Sequence, residues 1–125
     1  MTFARWVFRV AGILGLLGLV PIYFTETQIG IDTPPPITHP EFFYGFVGVA
    51  IAWQVAFIVI GQDPVRYRPL MPPSMIEKFG FAFAVWILFL QGRLAGQMLV
   101  AGTFDLVLGI LFVLSFLRTA PARRA

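Results

Sequence analysis

From Ser74 to Leu117 the chain runs 44 residues interrupted by only four charges, Glu77, Lys78, Arg93 and Asp105. As one straight helix this stretch would extend about 66 Å at 1.5 Å per residue. That is roughly twice the hydrocarbon thickness of a bilayer, so an apolar run of this length has to fold back on itself. Gly92, Gly96 and Gly102 mark places for a turn, and Arg93 favours an interface. The reading places the turn near Leu94–Gln97, with spans over about 75–93 and 98–117.

Two more runs have spanning length. "FFYGFVGVAIAWQVAFIVIGQ", over 42–62, holds no charge at all. "WVFRVAGILGLLGLVPIYF", over 6–24, follows Arg5 and contains Arg9, whose stems can reach back to headgroups. Basic residues before an apolar run also open a secretory signal. Here the run ends in "PIYFTET" with no small-x-small cleavage pattern, which favours a retained span.

Composition agrees with a lipid solvent. The chain is 58% hydrophobic with a mean hydropathy of +0.85, and 12% of it is charged, against about 25% in soluble domains. A soluble domain of this length could not hide so much apolar surface in one core. The net charge of +3 and pI near 10.0 do not indicate nucleic acid, because the basic residues stand at segment ends and form no stripe. With no cysteine, disulfide, thiolate and Cys-metal chemistry are excluded.

The predicted fold class is therefore all-α: an integral membrane four-helix bundle, a single domain over 1–125, with a loop at 25–41 and an elbow at 63–74. In this layout Arg5, Arg9, Arg66, Arg68, Lys78, Arg118, Arg123 and Arg124 fall on one side and only Arg93 on the other. Lys and Arg gather on the cytoplasmic side. Both termini and the elbow are thus expected in the cytoplasm and the acidic 25–41 loop outside, in a bacterial inner membrane.

The elbow, "GQDPVRYRPLMPPSMIEKF", concentrates charge and proline. Asp63–Pro64 should end the second span, because a residue before proline avoids the α region. Pro69, Pro72 and Pro73 should keep the connection non-helical. Ser74 with Glu77 has the spacing of a capping box. Arg66, Arg68 and Lys78 read as topology charges, with a docking surface around Tyr67 as the other reading. In the outer loop, Pro34–Pro36 should form polyproline II, and His39-Pro40-Glu41 should start the second span. His39, Glu41 and Asp32 lack a metal-ligand spacing, so no metal is expected. Tyr44, Trp6, Tyr23 and Trp86 suit interfacial belts, whereas Trp53 is too central. Gly12, Gly15 and Gly18 on the first span, and Gly45, Gly48, Ala52 and Ala56 on the second, are small-residue stripes suited to close helix packing.

No catalytic pattern appears: no Ser-His-Asp set, HExxH, Walker loop or dinucleotide fingerprint. One histidine excludes bis-His haem ligation within the chain. The candidate site residues are the polar groups at membrane depth, Asp105, Arg93 and Gln54, with the adjacent Trp53. An intramembrane acid needs a partner. Arg93, Gln54 and Tyr44 are the candidates for Asp105. Alternatively the turn falls near Gly102–Thr103, and Asp105 then sits in a first helical turn, where its charge suits the dipole.

The four-span layout and the closing "DLVLGILFVLSFLRT" resemble the small bacterial DoxX-like membrane proteins. That resemblance implies a link to quinone-dependent sulfur oxidation and carries no site residue. The chain is more distantly similar to the emopamil-binding type, which implies paired membrane acids; only one deep acid is evident here. Two functions follow as expectations. One is a non-catalytic protein, structural or accessory to a larger membrane complex, with a membrane-protein partner or homo-oligomer. The other is a binder of a small lipophile such as a quinone, assisting an oxidoreductase.

Overall fold

A computed structural model describes residues 2–121; Arg123 and Arg124 lie outside them. Among the described residues the chain is all-helical. The helices are α1 Thr2–Ile22, α2 Glu26–Asp32, α3 Pro40–Gln62, α4 Met71–Leu90 and α5 Gln97–Arg118, with a 3-10 turn at Arg68–Leu70 leading directly into α4. Four helical segments, α1, α3, the 3-10 turn with α4, and α5, are long and apolar enough to cross a membrane.

The helices pair as two hairpins. α1 lies along α3 and α4 along α5, α1 and α5 join the hairpins, and α3 and α4 touch at few points. Both hairpins close over glycine. A Cβ on Gly12 would sit 2.6 Å from the Gln54 carbonyl, and one on Gly109 would sit 2.8 Å from the Phe79 ring. Small residues are what permit this backbone approach where lipid supplies no hydrophobic drive. The main core lies toward one end, where Phe8, Phe57 and Phe112 from three helices meet. Phe8 stacks on Phe112 at 4.2 Å and Phe57 meets Phe112 edge-on at 4.9 Å. Ala4, Ala11, Ile60, Met71 and Leu108 complete this cluster.

The same end carries most of the arginines. Arg9 donates to Gln62 Oε1 at 2.7 Å. Arg68 donates to the carbonyls of Thr119 at 2.7 Å and Phe116 at 3.3 Å, and its guanidinium lies 3.8 Å from the Phe116 ring centroid. These carbonyls belong to the unpaired end of α5, so the elbow caps that helix from outside.

Three local expectations are corrected. Pro72 and Pro73 do not hold the chain out of a helix: α4 begins at Met71 and includes both. The first-turn N–H groups have no intrahelical partner, so proline is tolerated there. Ser74 consequently makes no capping box; it lies inside α4 with Oγ donating to the Leu70 carbonyl at 2.7 Å. The 25–41 loop does not run as extended polyproline II through Pro34 and Pro35, because α2 occupies 26–32 and residues 33–35 bend. The turn between α4 and α5 opens at Gly92, whose φ of +71° suits glycine. There Gly92 N–H bonds Phe89 O and Arg93 N–H bonds Leu88 O, both at 2.9 Å, the hydrogen-bond pair of a Schellman ending.

Candidate functional site

The first helical turn of α4 sets the depth of everything after it. Because the helix starts at Met71, Lys78 lies two turns in, about 10 Å along the axis, on the inward stripe of Met71, Ser74, Ala82 and Val85. It is only 3% exposed. α5 starts at Gln97, at the far end of the hairpin, and carries Asp105 about 12 Å in from that start. The two hairpin arms run antiparallel, so the side chains meet: Lys78 Nζ donates to Asp105 Oδ1 at 3.4 Å. Glu77 Oε2 stands 3.6 Å from the same ammonium, an ion-pair distance longer than a hydrogen bond. That oxygen is buried and has no hydrogen-bond partner. The face of Phe57 closes the other side of the ammonium, 5.2 Å from its ring centroid, within cation–π range.

Two carboxylates thus share one ammonium at membrane depth. Each ion there carries a solvation cost, and mutual pairing offsets part of it. The cluster ties α4 to α5 and, through Phe57, to α3.

The sequence candidates separate. Asp105 is in the cluster, in the third turn of α5, so the alternative of a turn near Gly102–Thr103 is set aside. Its partner is none of the three proposed from sequence. Arg93 is exposed in the turn and donates to Gln91 Oε1 at 3.1 Å. Tyr44 donates to Glu26 Oε1 at 3.0 Å near the 25–41 loop. Gln54 is 1% exposed, but it faces α1 beside Gly15 and its Nε2 bonds the Ala50 carbonyl at 3.0 Å. Trp53 is partly buried, tilted against Phe57 with centroids 6.2 Å apart. Lys78 is not an elbow charge, because the early start of α4 carries it inward. Arg68 is not free for docking, because α5 carbonyls occupy it. Of that set, Arg66 alone remains exposed, 5.4 Å over Tyr67, with its backbone N–H bonded to Asp63.

Sequence reasoning gave Glu77 a capping role and missed its place in the cluster. The available signal was Pro72-Pro73 read as a helix start, which moves Glu77-Lys78 about one turn deeper, to two turns inside α4. Among the described residues no three His, Asp or Glu side chains gather to hold a metal. Two shallow cavities flank the bundle. One of about 220 Å³ lies at the 25–41 loop, between Glu26, Gly30 and Pro36. The other, of about 170 Å³, is lined by Ala52, Trp53, Ala56 and Leu70.

The architecture, four helices long and apolar enough to cross a membrane, is compatible with a multi-pass membrane protein. Comparison with family models, with curated proteins and with solved structures finds no match in any of the three.

Proposed function

We propose that this chain is a non-catalytic integral membrane protein, accessory to a larger membrane assembly, with both termini in the cytoplasm of a bacterium. The observation that carries this reading is the uneven packing of the bundle. Core residues crowd one end, whereas a Cβ on Gly18, Gly45 or Gly48 would meet nothing within 4 Å. Phe42, Phe46 and Val49 are exposed along the same stretch of α3. Backbone left bare over small residues is where another helix can approach. The orientation is supported by the distribution of Lys and Arg among segment ends, seven to one once the interior Lys78 is left out. Native mass spectrometry after mild detergent extraction tests the reading. Retention of a stoichiometric protein partner is expected; a chain released alone and without any bound protein overturns it.

A second reading, binding of a small lipophile, has its own observation in the apolar groove beside Trp53. A quinone assisting an oxidoreductase, as the DoxX-like resemblance implies, is one form of it. In the same experiment an apolar small molecule retained with the chain supports this reading.

A further inference from the structure

The elbow end of the bundle is basic and its charge is not answered from within. Arg5, Arg9, Arg66, Arg68 and Arg118 stand there against one acid, Asp63, whose Oδ1 accepts the Arg66 backbone N–H. Among the described residues the ion pairs join His39 to Glu41 and Lys78 to Glu77 and Asp105, and no arginine takes part in one. Arg68 is occupied by the α5 carbonyls, and Arg118 lies 4.6 Å from the Phe3 ring centroid.

Arg5 and Arg9 are four residues apart and share one face of α1. α1 crosses the end of α3 at this point: a Cβ on Gly61 would sit 2.6 Å from Arg9 Cγ and 3.0 Å from the Arg5 carbonyl. Arg9 gives one bond, from Nη2 to Gln62 Oε1, and Arg5 is exposed. Arg5 lies in the first turn of α1, where the helix dipole disfavours a cation, and that turn holds no acid. The same four-residue ridge continues through Ile13 and Leu17, which are 51% and 69% exposed. Exposed Trp6 flanks the two arginines, an indole suited to headgroup level. The row thus offers paired guanidinium groups at the basic end and bare apolar surface running away from it.

We propose that Arg5 and Arg9 form a docking surface for the headgroup of an anionic phospholipid, with an acyl chain laid along Ile13 and Leu17. Guanidinium donors match the geometry of a phosphate, and the headgroup's net negative charge answers the two cations. Phosphatidylcholine carries the same phosphate beside a cation of its own, so net charge is what separates the two lipids. The surface is distinct from the bare glycines of α3 where a protein partner is placed above, and the purified chain suffices to test it.

The test is native mass spectrometry of the full chain in detergent with equal amounts of dioleoyl phosphatidylglycerol and dioleoyl phosphatidylcholine, which share their tails. Retention of phosphatidylglycerol over phosphatidylcholine by about tenfold or more is expected, the scale of two basic side chains at an anionic surface. R5Q/R9Q should remove the preference, and R93Q, exposed at the other end, should leave it unchanged. Helicity and melting confirm that each variant is folded. Should R5Q/R9Q fail to fold, R5Q alone decides, because Arg5 makes no side-chain hydrogen bond among the described residues; it should lower the preference several-fold. Equal retention of the two lipids by the parent chain overturns the proposal. An equal fall in R93Q and R5Q also overturns it, since the preference would then follow total charge and not this surface.

Discussion

Lys78 and Asp105, 27 positions apart, meet at 3.4 Å between α4 and α5, with the ammonium almost wholly removed from the surface. The contact joins the two arms of one hairpin at a position largely removed from the surface. Its consequence is asymmetric. Removing Lys78 strands both Asp105 and Glu77, whereas removing all three charges leaves an apolar seam.

K78M should therefore destabilise the protein by about 3–5 kcal/mol, the range for breaking a buried pair. Replacing Glu77 and Asp105 as well, in E77L/K78M/D105L, should recover much of that loss. Unfolding of the parent, K78M, D105L and K78M/D105L in mixed micelles, read as a double-mutant cycle, measures the coupling. Additive losses would show that the two side chains do not act as a pair.

At the crossing of α1 and α3, G15L should cost about 1–3 kcal/mol, because the new side chain would collide with Gln54. G18L, one turn along, should be nearly neutral, since a Cβ there meets nothing within 4 Å. Melting temperatures of the pair check the difference. Equal losses would mean that α1 and α3 do not cross over Gly15.

Arg68 and Arg66 are two residues apart and should behave differently. R68A removes two hydrogen bonds to α5 carbonyls and the stack on Phe116, and should lose about 1.5–3 kcal/mol, the range for hydrogen bonds from a charged donor. R68K should recover little, because an ammonium cannot reproduce the planar fork or the stack. R66A, at an exposed site, should stay within about 0.5 kcal/mol. Hydrogen exchange in the last turn of α5 gives a local readout, and faster exchange is expected only in the Arg68 variants.

Reporter fusions after Gln62 and after Ala125 should both read as cytoplasmic, and a fusion after Thr33 as external. The reason is the distribution of Lys and Arg among the loops. An external signal at Ala125 would exclude an even number of spans with the N-terminus inside.

The number of long helices was legible because it depends on hydropathy and length, which are local. The 42–62 run needed only its lack of charge, and 74–117 needed only to be too long for one crossing. The site was legible in one member alone. Asp105 stands out as an acid in an apolar run, but Glu77 and Lys78 sit beside an elbow rich in arginine and proline, where charge is ordinary. Placing the helix start four residues too late was enough to assign them to the wrong environment.

The chain's own chemistry determined its solvent, its helical class and the gathering of arginine at segment ends, since each follows from the cost of placing polar groups in hydrocarbon. Tertiary structure decided which charges are free. Arg68 is taken by the open carbonyls of α5, and Lys78 is turned inward by the register of α4 to meet Asp105 from a facing helix. Pairing depends on rotation and depth, at 100° and 1.5 Å per residue. A shift of one residue at a helix start therefore changes which side chains meet without altering hydropathy, and only the packed helices fix that register.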